Sequence, residues 1–336
     1  MTVHLTYELL KRNMYNLQHI KVIHLEVTSK CQASCPMCVR NIQGGIDSPD
    51  LKLTEITLEQ FKAWFPVDFI KQLTKVYMCG NTGDPIIAKD TLKIFEYLRD
   101  VNPNLELSMN TNGSARSWQF WKGLANANVQ IRFGIDGLMD SHELYRIGTS
   151  WTKILDNVKQ FISEGGHATW DMLIFDHNKN EVELCREISE RMGFKNFVAK
   201  NTSRFQGDSL TVLNKDGTVS HILKPSIKSK QITERLAEQE PVITCKVKEP
   251  GSLYVSAEGK IAPCCWLDFN AVPTTAPSHE DFINKGFTNP SLHMQDLTQI
   301  FATDFFTRIE QSWATDPLRA CSRQCGKVDK FNEQFK

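Results

Sequence analysis

From residue 20 to 201 short apolar runs alternate with longer amphipathic stretches, and this constrains the chain more than any other feature of its 336 residues. The runs at 20–28, 75–79, 105–109, 129–135, 168–175 and 196–200 read as strands. Between them apolar residues recur with a helical period, as in Ile154, Val158, Phe161 and Ile162, or Val182, Cys185, Ile188 and Met192. Strands separated by helices are joined by crossovers, which make neighbouring strands parallel. Six such units build three quarters of a (β/α)8 barrel, an α/β fold whose functional groups stand on the loops after the strands' C-terminal ends.

Beyond residue 201 the alternation stops. Residues 202–240 contain turn formers (Gly207, Asp216-Gly217), a basic stretch over 224–230 that reads as a solvated face, and a helical pattern over 231–239, taken as the last barrel helix with its connections. From Pro241 the character changes to a hairpin, 253–256 and 260–263 around Glu258-Gly259, then a polar loop and a helix over 296–313. The expected organisation is an extension (1–19), a partial barrel (20–240) and a small C-terminal module (241–336). Internal repeats and low-complexity tracts are absent from the sequence.

Lys plus Arg (39) balances Asp plus Glu (39), so no summed field attracts nucleic acid or an anionic membrane surface. No apolar run reaches the length of a spanning helix, and residues 1–16 lack a signal peptide's apolar core, so the expected location is cytoplasmic. Ten cysteines stand out against that background, at 31, 35, 38, 79, 185, 245, 264, 265, 321 and 325. In a reducing compartment clustered cysteines serve metals or redox chemistry more often than disulfides. Their two main groups imply two metal-bearing regions.

Cys31, Cys35 and Cys38 follow the first strand in VTSKCQASCPMCVR, with spacing CxxxCxxC. Three thiolates on one loop can ligate three irons of a [4Fe–4S] cluster and leave the fourth open to a substrate or cofactor. A zinc site lacking its fourth ligand, or unrelated buried thiols, are the alternatives. The segment resembles the CxxxCxΦC motif of the radical S-adenosylmethionine (SAM) superfamily, which follows strand one of a partial (β/α)6 barrel, with Met37 at the Φ position. Three later strand ends match that family's order. Strand two ends in CGNTGDP, where Gly83 and Asp84 resemble a Gly-Gly-Glu-type turn that binds the methionyl amino group, with the shorter Asp84 in place of glutamate. Strand three ends in Asn110, Thr111, Asn112 and Gly113, and strand four in Gly134-Ile135-Asp136-Gly137 followed by His142 and Arg146. Gly134 replaces a frequent ribose-contacting serine, which leaves Asn110 and Asp136 as candidate ribose contacts; Arg146 completes the implied SAM-binding set.

In the second group Cys245 precedes Gly259 by 13 intervening residues, and four more separate Gly259 from Cys264; Cys321 and Cys325 form a CxxxC pair. Four thiolates suit a fully ligated cluster, whereas a zinc ribbon prefers CxxC knuckles, which are missing here. The spacing resembles the opening of the SPASM extension, and its four ligands match the shortened, Twitch-type form with one auxiliary [4Fe–4S] cluster. Of the three cysteines left over, Cys185 lies on a helical apolar stripe and Cys79 reads as packing, while Cys265 could substitute for Cys264.

The resemblance implies an enzyme with two [4Fe–4S] clusters and SAM, reduced by a flavodoxin- or ferredoxin-type donor. It implies cleavage of SAM to a 5′-deoxyadenosyl radical and removal of a hydrogen atom from a peptide, a protein or a small molecule, with the auxiliary cluster accepting an electron. Alcohol oxidation of the aminocyclitol type is the narrower alternative. A non-catalytic metal-binding scaffold is the alternative of a different class. No catalytic side chain beyond these is singled out by the sequence.

Overall fold

The structure, a computed structural model, describes residues 15–227 and 242–326. Strands β1 (Val22–Leu25), β2 (Lys75–Met78), β3 (Glu106–Thr111), β4 (Val129–Gly134), β5 (Ala168–Ile174) and β6 (Asn196–Asn201) lie side by side in sequence order, every neighbouring pair parallel. All six expected strands are present, with ends trimmed or extended. Helices α1 (Leu58–Trp64) and α2 (Val67–Gln72) fill the first crossover, followed by α3 (Thr91–Val101), α4 (Trp118–Asn126), α5 (Met139–Tyr145), α6 (Trp151–Ser163) and α7 (Val182–Met192). Local chemistry sets their ends: Thr57 and Gln60 form a capping box on α1, and Gly193 closes α7 at φ 87°.

The strands' two faces differ in character. One carries Ile23, Leu25, Val76, Met78, Leu107, Met109, Ile131, Phe133 and Trp170, all buried in the helix-covered core with Phe95, Trp121 and Phe161. The other carries His24, Tyr77, Ser108, Asn110, Arg132, Asp171 and Lys200, with ion pairs Lys75–Glu106 at 2.7 Å, Arg132–Asp171 at 3.2 Å and Lys200–Asp171 at 3.6 Å. A closed barrel packs its interior with branched apolar side chains. Here the sheet stays open between edge strands, and its face away from the helices carries mostly polar side chains.

The region after β6 differs from the sequence expectation. Residues 202–227 contain an antiparallel pair, β7 (Leu210–Leu213) and β8 (Val219–Leu223), instead of a simple connection; the expected helix over 231–239 lies outside the described residues. Val212 and Leu223 form a second small core with Tyr145, Phe175 and Phe205, against which Cys35, Met37 and Ile147 pack. The expected hairpin is β9 (Ser252–Val255) and β10 (Ile261–Ala262), but β9 pairs parallel with β1, so the hairpin extends the main sheet to eight strands. The helix expected over 296–313 is two, α9 (Leu297–Phe301) and α10 (Phe305–Ser312), flanked by α8 (Pro277–Asn284) and α11 (Arg319–Cys325). Tyr15 stacks on Phe306 with ring centroids 4.8 Å apart, tying the start of the described chain to this region. No helix among the described residues is long and apolar enough to cross a membrane.

Trp121 is fully buried between α4 and β4, against Phe120, Phe133 and Phe161. Trp121→Ala should cost about 3–5 kcal/mol, read as a lower urea midpoint, because the cavity it leaves cannot fully collapse.

Candidate functional site

The loops after β1, β2, β3 and β4 interlock at one end of the sheet. Gly83 lies against the backbone of Thr28 and Ser29, where any Cβ would collide with the Thr28 carbonyl, and the Asp84 amide donates to Lys30 O at 2.9 Å. The buried Arg40 guanidinium bridges the same loops by donating to Ser29 O and, at 2.9 Å, to Thr82 O. Asp84 then joins β2 to β3: Thr111 Oγ1 donates to Oδ1 at 2.7 Å, the Asn112 amide to Oδ2 at 2.8 Å and the Ile86 amide to Oδ1 at 3.1 Å. Burial raises the Asp84 carboxyl above its ordinary value against the pull of these donors. Resemblance implies direct SAM contact for Asp84; in the structure its carboxylate acts on neighbouring protein groups.

Cys31, Cys35 and Cys38 sit half-buried inside this knot. Asn112 bridges them to the β3 loop, accepting from Gln32 Nε2 at 2.7 Å and offering Nδ2 to Cys31 Sγ at 3.7 Å. Burial pushes the Cys31 thiol up to about 12 and Cys35 to about 11, so both are neutral thiols until a metal displaces their protons. Among the described residues no three His, Cys, Asp or Glu side chains are gathered about a point that could hold one metal ion. A cluster distributes its thiolates over separate irons, and three soft sulfur donors without a carboxylate or imidazole among them fit such a group.

At the end of β4 Asp136 is fully buried, accepting from Leu173 N at 2.6 Å and from Arg146 Nε at 2.6 Å. It has no open face toward a ribose. The positive charge of Arg146 offsets part of the rise that burial gives the Cys35 thiol. His142 braces this unit, with Nδ1 accepting from the Asp136 amide at 3.0 Å and Nε2 meeting Thr149 Oγ1 at 3.0 Å; burial and then Arg146 lower its pKa to about 3, which keeps it neutral. Asn110 stands half-buried on the polar face, donating to Cys79 Sγ at 3.4 Å. Met37 packs against the second small core.

The second thiol group comes together from three elements. Cys245 precedes β9, Cys264 follows β10, and Cys321 and Cys325 lie one turn apart on α11; all four line one small cavity walled by Pro263, Trp266, Leu267, Ile309 and Trp313. Cys245 and Cys325 influence each other's protonation, the former raised and the latter lowered by the other's presence. Burial raises Cys264, and Cys321 to about 11. Four sulfur donors in an apolar wall fit a fully ligated cluster.

Three placements escaped the sequence reading. Cys185 is core, as its helical stripe implies, but Cys79 and Cys265 face a polar group comprising His24, Glu26 and Asn81. His24 Nε2 meets Glu26 Oε1 at 3.0 Å, and the imidazole stacks on Tyr77 with centroids 4.5 Å apart. The strict alternation His24-Leu25-Glu26 on an otherwise apolar strand is the signal that could have revealed this. The third is Arg40, whose burial has no local signature.

Asp84→Ala removes three accepted hydrogen bonds and should destabilise the chain by about 1–3 kcal/mol, measured by denaturant unfolding, because buried donors lose their partner. Burial disfavours charge on His24, yet hydrogen bonds to Cys79 and Glu26 carry its pKa from 6.5 up to about 9. Its stabilising contribution is therefore complete below pH 6.5 and lost as pH rises through about 9. Melting temperatures of the wild type and His24→Gln should differ most near the acidic end of that window and converge above it.

Residues 25–188 match the model of the Radical SAM superfamily. Over 134 residues the chain is 28% identical to the GTP 3′,8-cyclase of Saccharophagus degradans, covering 39% of this chain and 38% of that protein. The crystal structure of Streptococcus suis SuiB bound to precursor peptide SuiA superposes with TM-score 0.59 at 12% identity, covering 91% of this chain and 69% of that one. Native anSMEcpe with bound AdoMet gives 0.54 at 13% identity, covering 85% and 82%. At these identities the structural likenesses show the fold, and the chain spans well under half the length of the curated relatives it matches. The matched residues contain the CxxxCxxC loop and the interlocked ends of β2, β3 and β4, and over this stretch the chain is similar to the radical SAM superfamily.

Proposed function

We propose that the chain is a radical SAM enzyme that removes a hydrogen atom from a hydrophilic substrate and carries a second, fully ligated [4Fe–4S] cluster in its C-terminal region. The observation that carries this reading is the CxxxCxxC loop held at the end of β1 by the loops of the next three strands. When bound, a [4Fe–4S] cluster with one open iron together with SAM supplies, on receiving an electron from a flavodoxin- or ferredoxin-type donor, a 5′-deoxyadenosyl radical able to attack an unactivated C–H bond. Cys31, Cys35 and Cys38 hold three irons. Gly83 brings the β2 loop backbone against the β1 loop, Asp84 orients Thr111 and Asn112, and Asn110 offers its amide from the end of β3. Met37 sets an apolar side chain beside the ligands and limits water.

Cys245, Cys264, Cys321 and Cys325 hold the second cluster, and with four ligands no iron is left for substrate. Taking an electron from the substrate radical suits such a group. The polar sheet face beneath the loops, with Tyr77, Ser108, Asn110, Arg132, Asp171 and Lys200, supports a substrate rich in hydroxyl, amide or charged groups, such as a peptide segment or a small polyol.

Anaerobic reconstitution should load about eight irons per chain, and Cys31→Ala with Cys35→Ala and Cys38→Ala should leave about four and no 5′-deoxyadenosine formation. Full iron in that triple variant, or zinc in the wild type, overturns the assignment. Cys321→Ala with Cys325→Ala should still form 5′-deoxyadenosine, measured by chromatography, while losing oxidised product.

A further inference from the structure

We infer that Arg40 is a positioning residue for the first cluster: its side chain clasps the loop that carries Cys31, Cys35 and Cys38, and its buried positive charge is the counter-charge of the anionic group those thiols hold. The inference rests on the function proposed above and deepens it.

The clasp is visible in the hydrogen bonds. Arg40 Nη1 donates to the carbonyl of Ser29, so the segment from Ser29 to Arg40, with all three cysteines inside it, is joined end to end by one side chain. The same Nη1 donates to Thr82 O at 2.9 Å, which ties the closed loop to the end of β2. The next residue divides the ring: Asn41 Nδ2 donates to Cys35 O at 3.2 Å, and Asn41 Oδ1 accepts from the Gly44 amide at 2.5 Å. Outside the ring Ser29 is anchored, its hydroxyl donating to Lys52 O at 2.6 Å and its amide to Thr54 O at 3.0 Å. Arg40 thus draws the far end of the loop onto a fixed point. Closing the loop in advance removes chain freedom that binding the cluster would otherwise have to remove.

The charge needs a separate account. Arg40 is only 6% exposed, and a guanidinium stays charged inside a protein. Lys30, on the same loop, pairs with Glu55 at 3.3 Å, yet among the described residues no carboxylate forms an ion pair with Arg40. Its Nε is buried without a hydrogen-bond partner. Asp84, the carboxylate of the adjoining loop, is committed to Thr111, Asn112 and the Ile86 amide. Carbonyl oxygens satisfy the donors of a buried cation but leave its charge uncompensated, which is costly unless an opposite charge arrives. Three thiolates outweigh the positive charge of an iron–sulfur core, so the group held by the clasped loop is anionic. That group supplies the charge the apo fold lacks.

The test compares the apo and the anaerobically reconstituted full-length chain in two variants. R40Q removes the charge and keeps an amide donor; R40K keeps the charge and loses the planar fork. In R40Q the first cluster, followed by the electron paramagnetic resonance signal that disappears in Cys31→Ala, should yield to an iron chelator about 10–100-fold faster than in the wild type, while the second cluster leaves at the wild-type rate. R40K should lie between R40Q and the wild type. Thermal unfolding separates a counter-charge from a mere clasp: R40Q should lower the melting temperature of the reconstituted form more than that of the apo form, because the apo form sheds an uncompensated charge together with its hydrogen bonds. Wild-type retention of the first cluster in R40Q, or equal shifts in the two forms, overturns the inference. If R40Q does not fold, R40K decides by the same chelator reading, and wild-type retention there overturns it. A wild-type chain that raises no such signal overturns instead the reading on which the inference rests.

Discussion

Everything in this molecule depends on a sheet whose two faces obey opposite solvation rules. Side chains of one parity, from Ile23 through Val76, Leu107 and Ile131 to Trp170, are removed from water by the helices, and their burial is the main favourable contribution to folding. Side chains of the other parity are mostly polar, and many are partly wet. Because the side-chain period is two, a slip of a single residue in any strand would exchange the faces, so register is strongly specified throughout. The same alternation that builds the core therefore lays out a polar face opposite it.

At one end of that sheet the backbone leaves regular pairing, and buried polar groups must find other partners. They find one another. Asp84 serves Thr111, Asn112 and Ile86; Arg40 serves Ser29 and Thr82; Asn112 spans Gln32 and Cys31. A loop carrying three thiols is fixed in this way by side chains from separate crossovers. Such a network is rigid when fully satisfied and costly when a member is lost, which suits a site that must hold its ligands in place before a metal arrives.

Cys264 and Cys265 show how closely the two ends of the chain are joined. Cys264 lines the cavity of the second thiol group, while its neighbour faces Glu26 and Asn81 on the inner side of the sheet. One peptide unit separates the two environments. The join exists because β9 adds in parallel to β1, which inserts the C-terminal hairpin into the sheet that begins the chain.

By itself the sequence determined the six-strand alternation, the CxxxCxxC loop and the grouping of the other four thiols, because periodicity and short spacings are local properties that a single chain displays directly. Thr111, Asn112 and Gly113 were legible as a turn for the same reason. Only the tertiary structure decided which partners those residues take. The pairing of β9 with β1 joins segments more than 200 residues apart, the β7–β8 hairpin is stabilised by contact with the cluster loop, and Asp84 and Asp136 are occupied by groups from other strands. Gly134 is the sharpest case: as a letter in the sequence it is a missing serine, and in the fold it is the space an arginine needs. Partner choice of this kind depends on which side chains three-dimensional packing brings within hydrogen-bond reach, and no local pattern encodes that.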